Sequence, residues 1–146
     1  MKIEIQLDPN QQETKVIIVT DEITENVKEL MNRLSQEYSQ VIAGFMQERL
    51  EILEPQSIYR IYAANQKVFA ITDKGEYVLR SRLYELEEQL VREKFIRISN
   101  SEIVNLTRIK NFDLSYAGTI GVTLTNGETT FVSRRYVPKI KQALGI

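Results

Sequence analysis

Arg134 and Arg135, in the run Val132-Ser-Arg-Arg-Tyr-Val-Pro-Lys-Ile-Lys141, have the clearest capacity for chemistry in this chain. They precede a segment with Val137, Ile140, Lys141 and Leu144 at helical spacing. This places them beside the N-terminus of a predicted helix that Ser133 would cap and that runs to Leu144. Such an end attracts phosphate through its free N–H groups and its dipole. The guanidinium fork also matches the O6 and N7 acceptors of guanine. Two cations there oppose the dipole at a cost of about a few tenths of a kcal/mol, which a nearby anion would reverse. A second candidate is Ser99-Asn100-Ser101, set in the otherwise apolar stretch FIRISNSEIVNLTRIKNF. Asparagine can pair with adenine N6 and N7, and serine can donate to phosphate. The third is Ala63-Ala64-Asn65-Gln66-Lys67, where two small residues would let a backbone approach DNA. Asn65, Gln66 and Lys67 could contact bases or phosphate. Taken singly, the three read more readily as a solvated charge pair, an Asx-turn and a polar hairpin loop. Together they weigh more, because each lies in a loop or at an element end, each is rich in donors, and none contains a carboxylate.

What the chain lacks narrows the chemistry further. Among 146 residues there is no histidine and no cysteine. This removes serine–histidine triads, thiolate nucleophiles, disulfides, zinc deaminase sites and HExxH centres. A carboxylate-based enzyme stays open and would need an acidic pocket; with no nucleophile–base pair or metal cluster in view, no catalytic residue, metal, cofactor or small-molecule substrate is expected. The net charge of −1 argues by itself against a nucleic-acid partner. The distribution argues otherwise: residues 1–88 hold 10 Lys/Arg against 16 Asp/Glu, whereas residues 89–146 hold 9 against 4. Such asymmetry suggests one face or end that meets an anion. The longest aliphatic run, Val16 to Val19, is far too short to span a bilayer, and MKIEIQLD alternates rather than forming a signal-peptide block. A cytoplasmic location fits.

The elements that must position these residues follow from periodicity. Lys2 to Asp8 alternates and Lys15 to Thr20 is β-branched, so both are predicted strands. Ile23, Val27, Leu30, Met31 and Leu34 predict an amphipathic helix over about residues 21–36, capped by Thr20 or Asp21. This β-β-α unit, residues 1–44, is too small to stand alone comfortably and is expected to dimerise or to bind a partner. Residues 37–46 are ambiguous and could extend the helix, with Gly44 as its weak point. From there the pattern is one of short strands: around Leu50–Leu53, Ile58–Tyr62, Val68–Thr72, Glu76–Arg80, Phe95–Ile98, Thr107–Leu114, Thr119–Thr125 and Glu128–Val132. Ser81 would cap a short helix with Leu83, Leu86 and Leu90 inward. Asp73-Lys74-Gly75 and Asn126-Gly127 read as hairpin turns, the latter with positive φ expected at both central positions. Pro138 would delay or distort the first turn of the last helix.

Three stretches in this order resemble the LytTR DNA-binding domain: Phe95-Ile-Arg-Ile-x-Asn-Ser-x-Ile-Val-Asn-Leu-x-x-Ile109, then Asn126-Gly, then Val132-Ser-Arg-Arg-Tyr136. GEYVLRSRLYELEEQL, residues 75–90, fits that family's hairpin and short helix. The resemblance covers about residues 47–146. It implies a mainly β fold of several small antiparallel sheets with short helices, residues 45–146 forming the DNA-binding domain. It implies a bacterial transcription regulator that contacts the major groove of double-stranded DNA through loops. On it, Asn100 and Arg135 match base-contacting positions, with Ser101 and Arg134 beside them. The loop around Gln66 matches the remaining contact site, where some members carry histidine. Lys67 and Lys139 would serve phosphate. Many members carry a receiver domain, for which this chain lacks room, and some short relatives answer to a small membrane protein. A homodimer is expected. The competing expectation is a protein-interaction module of the same fold that does not bind DNA.

Overall fold

The computed structural model describes residues 1–36 and 41–146, the side chains of residues 35 and 36 excepted. The chain divides into two compact units, residues 1–35 and 36–146. In the first, the predicted helix forms as α1, Glu25–Gln36. Its cap is neither Thr20 nor Asp21: Thr24 accepts the Val27 N–H at 3.3 Å. Acidic and basic residues one turn apart, Glu25–Lys28 and Glu29–Arg33, pair along its exposed side. The two strands expected at Lys2–Asp8 and Lys15–Thr20 do not form. A two-stranded ribbon without further strands or a packed face is marginal in water, and these segments lie exposed with no ladder partner among the described residues.

The second unit is built from two antiparallel sheets. Five strands follow in order: β1 (Ile42–Met46), β2 (Arg49–Leu53), β3 (Ile58–Ala64), β4 (Lys67–Thr72) and β5 (Gly75–Leu79). Then come α2 (Leu83–Gln89), β6 (Phe95–Ser99) and β7 (Glu102–Asn105). Together these strands make a seven-stranded sheet in the order β2-β1-β5-β4-β3-β7-β6. Three more strands, β8 (Ile109–Asp113), β9 (Ile120–Leu124) and β10 (Thr129–Val132), form the second sheet, and α3 (Val137–Leu144) ends the unit.

The expected boundary between residues 44 and 45 falls inside β1, where Gly44 and Phe45 pair with Leu79 and Val78. Residues 41–46 are therefore not a helical extension. Residues 37–40 of the ambiguous stretch lie outside the described residues. Gly44 is a close-packing position: a Cβ there would sit 2.8 Å from Leu53 Cδ1 and from Tyr77 Cβ.

Strands β3, β7 and β6 serve two cores, because successive side chains point to opposite faces. One face gives Ile58, Ile61, Ile103 and Phe95 to a core completed by Ile42, Tyr77, Leu79 and the α2 leucines 83 and 86. The other gives Tyr59, Val104 and Ile98 to a core with Ile120, Val122, Leu124, Val132 and Ile140 of α3. Each fully buried aliphatic side chain stabilises by roughly 1.5–3 kcal/mol, so the middle of the large sheet is anchored from both sides. The sheets are also tied by polar contacts. Arg60 on β3 pairs with Glu128 at 2.8 Å and Glu102 at 3.3 Å, and Thr130 on β10 donates to Glu102 at 2.7 Å.

Asn126-Gly127 does turn β9 into β10. Only Gly127 has positive φ (+90°), and its N–H bonds Leu124 O at 2.9 Å, so the loop is longer than a two-residue mirror-image turn. Pro138 occupies the opening of α3, where its missing N–H leaves no bond unmade, and a 3₁₀ turn over Arg134–Tyr136 leads into it. Among the described residues, no helix is long and apolar enough to cross a membrane.

Candidate nucleic-acid interface

The polar island at Ser99-Asn100-Ser101 turns out to be a hairpin turn between β6 and β7. It is held from several directions. The Ser101 N–H donates to Ser99 Oγ at 3.2 Å. Arg97 Nε donates to Ser99 O at 2.7 Å, and Arg97 Nη2 donates to Asn100 O at 2.6 Å. The remaining arm of Arg97 pairs with Glu87 of α2 at 2.9 Å. One arginine thus fixes both turn carbonyls and neutralises a carboxylate. A bulge between Arg97 and Ser99 sets the direction in which the turn leaves the sheet.

The β3–β4 turn is Asn65-Gln66, bracketed by the Ala64–Lys67 pair. Both residues are left-handed, at φ +52° and +63°. A two-residue hairpin with right-handed strand twist requires this conformation. Asparagine tolerates it, whereas glutamine is strained. Since β3 pairs with β7, placing Tyr62 opposite Glu102, this turn and the β6–β7 turn leave the same end of the sheet. They are joined there directly: the Ala63 N–H donates to Ser101 O at 2.8 Å.

The arginine segment meets the same end. The Ser133 N–H donates to Ile98 O at 2.9 Å, extending contact between the β10 end and β6. Ser133 therefore links sheets through its backbone, and its side chain makes no cap bond. Three residues on, the Tyr136 hydroxyl donates to Asn100 Oδ1 at 3.2 Å. Arg134 and Arg135 stand between these two links, in the 3₁₀ turn before α3 rather than in the helix. Arg134 lies over Gly118, where an added Cβ would come within 3.2 Å of its Nε.

The structure thus places Asn65, Gln66, Asn100, Ser101, Arg134 and Arg135 along one linked edge. Lys67 opens β4 beside it, and Lys139 is exposed on α3, with no bond tying its side chain to the edge. The side chains of Lys67, Arg134, Arg135 and Lys139 have no hydrogen-bond or ion-pair partner among the described residues. The carboxylate that follows Ser101 does not oppose them: Glu102 is buried, held by Arg60 and Thr130. Burial raises its pKa, an effect that the bonds from Thr130 and Arg60 only partly offset. The edge therefore offers free cations and amide donors, the combination that suits a phosphate backbone and base edges.

Two residues of this arrangement escape a reading by residue type, Arg97 and Tyr136. Arg97 interrupts the apolar alternation Phe95-Ile96-x-Ile98 two residues before the island, which is the signal that could have found it. Tyr136 reads as an ordinary packing aromatic.

Comparison with known proteins agrees with the geometry. Residues 48–145 match the model of the LytTr DNA-binding domain. Two Staphylococcus aureus proteins, described as uncharacterized HTH-type transcriptional regulators, are each 33% identical over the whole of this chain and 99% of their own length. A solved LytTr DNA-binding domain from Bacillus cereus superposes with a TM-score of 0.69 at 24% identity, covering 73% of this chain and 97% of that domain. Among the described residues, no two α-helices follow one another without intervening strands, so the helix-turn-helix in the relatives' names has no counterpart here. With the matched segment spanning β2 to α3, the chain belongs to the LytTR family of DNA-binding domains.

Proposed function

We propose that this LytTR protein is a sequence-specific transcription regulator that sets the linked edge of turns against the major groove of duplex DNA. Family membership supports a DNA-binding regulator. In this reading Gln66, Asn100 and Arg135 read base edges. Lys67, Ser101, Arg134 and Lys139 hold phosphates, and they supply most of the affinity through counterion release. The protein works in the cytoplasm as a homodimer assembled through its N-terminal unit. The observation that carries the reading is the bond chain Ala63–Ser101 and Tyr136–Asn100, which joins three donor-rich turns that are far apart in sequence. Preformed turns lose little ordering entropy on binding, so their contacts convert more fully into affinity.

The test is titration of duplex DNA, selected from a random pool, across a salt series. Wild type should bind with log affinity falling linearly in log salt. Asn100→Ala and Arg135→Ala should each cost roughly 1–3 kcal/mol and relax preference at one base pair. Lys67→Ala should weaken all sequences alike and reduce the salt slope by about one. Binding by either base-reading variant equal to wild type would remove that residue from the interface. Absence of salt-sensitive binding altogether would instead favour the protein-interaction module.

A further inference from the structure

Residues 2–8 carry a pattern that the folded units do not use. Lys2, Glu4, Gln6 and Asp8 alternate with Ile3, Ile5 and Leu7, the period of a strand with one polar and one apolar face. Yet the segment has no ladder partner among the described residues, and Ile3, Ile5 and Leu7 are 80%, 86% and 88% exposed. Val16, Ile17, Val19 and Ile23 of the same unit are exposed as well. At about 100 Å² apiece, Ile3, Ile5 and Leu7 offer on the order of 300 Å², and only with Val16, Ile17, Val19 and Ile23 covered as well would a partner approach the ~800 Å² that each side gives to a standard interface.

We propose that Lys2–Asp8 pairs as an antiparallel strand with the same residues of a second copy of this chain, in the register centred on Ile5, and that the exposed Val16, Ile17, Val19 and Ile23 of the two copies cover its apolar face, a cover that a bare two-stranded ribbon would lack. This deepens, and rests on, the dimer in the reading above. The register follows from charge. A two-fold axis at Ile5 sets Lys2 opposite Asp8 at both ends, Ile3 opposite Leu7, and uncharged Gln6 opposite Glu4. Shifting the axis to Glu4 keeps the apolar faces together but sets Glu4 against Glu4. Shifting it to Gln6 sets Glu4 against Asp8 twice. An in-register parallel pair stacks Lys2 on Lys2 and Asp8 on Asp8. Centring the axis on Ile3 also sets Lys2 against Glu4, but it pairs residues 1–5 alone and leaves Leu7 and Asp8 outside. Only the Ile5-centred register pairs the whole of Lys2–Asp8 with its apolar faces aligned and unlike charges opposed. Within one chain Lys2 lies 2.8 Å from Glu4, but both are strongly exposed, and such a pair contributes too little to hold Lys2 back. After Asp8 the chain turns, with the Asn10 N–H on Asp8 Oδ1 at 3.0 Å and the Gln11 N–H on Asp8 O at 3.1 Å, so the strand ends where the register needs it to end.

Sedimentation equilibrium of the full chain without DNA tests this. Wild type should form dimers. Lys2→Glu and Asp8→Lys, singly, should each weaken the dimer roughly tenfold or more, because two attractive pairs become repulsive. The double variant Lys2→Glu/Asp8→Lys should recover wild-type affinity, and an equimolar mixture of the two single variants should form a heterodimer. A chain that stays monomeric, single reversals without effect, or a double variant that does not recover would each overturn the proposal. No DNA enters these measurements, so failure here leaves the base-reading residues untouched, and failure of Asn100→Ala to alter DNA binding leaves the dimer untouched.

Discussion

Gln66 holds a left-handed backbone at φ +63°, where a glycine would be at ease. Its strain costs roughly 1 kcal/mol, less any compensation from the turn. Gln66→Gly should therefore raise stability by about 1 kcal/mol, measured as the urea midpoint, while weakening DNA affinity through loss of the side chain. A variant that is more stable and binds DNA as wild type does would reduce Gln66 to a turn residue. The same scale shows why the edge is stiff. Arg97 holds two carbonyls and a carboxylate at once, and charge-assisted bonds of this kind are the stronger class. Arg134, Arg135 and Lys67 instead keep their charge unspent among the described residues.

At the scale of elements, Gly44 carries the sharpest prediction. It sits in β1 against Leu53 and Tyr77, with no room for a methyl group. Gly44→Ala should cost roughly 1–3 kcal/mol by overpacking, read from denaturant unfolding. A neutral result would mean that β1 can move away from β5. Its glycine had suggested the weak point of a helix, because residues 41–46 show no clear period, and only pairing with β2 and β5 decides for a strand. Strands β2 to β6 and β8 to β10 were legible from alternation and from turn chemistry at Asp73–Gly75 and Asn126–Gly127. β7 was not. Its four residues, Glu-Ile-Val-Asn, are all buried, so no polar–apolar alternation marks them, and its charge is answered from β3 and β10, far away in sequence. The opposite error occurred at Lys2–Asp8, where the period is perfect and the strand is absent from the described chain. Alternation states a preference, but a ladder needs a neighbour.

For the whole molecule, the cluster of Arg60, Glu102, Glu128 and Thr130 couples the two sheets and makes stability depend on pH. Glu102 has its pKa raised above the ordinary 4.5, chiefly by burial. A raised acid favours the fold while protonated, so its contribution is full below the unfolded value and is lost as pH rises through the folded one. Glu102→Gln cannot titrate. The stability of wild type minus that of the variant should fall as pH rises from about 4.5 upward, measured by urea unfolding at several pH values. A flat or rising difference would contradict the burial argument. The candidate residues themselves were legible by type and position. Their convergence was not, because it depends on the β3–β7 pairing and on a hydroxyl at Tyr136 meeting an amide 36 residues earlier.

That last contact dictates how Asn100 faces outward. Tyr136 already occupies a lone pair of the amide oxygen, and Nδ2 donates to nothing among the described residues. The second lone pair of that oxygen stays open beside the Nδ2 donors, so the amide still offers adenine a donor for N7 and an acceptor for N6–H, with the tyrosine fixing which way it is turned. Tyr136→Phe frees the amide to rotate, so it should relax the preference for adenine at that one base pair. Identical base preferences for the two proteins in the duplex titration would show that the tyrosine plays no part in choosing the letter.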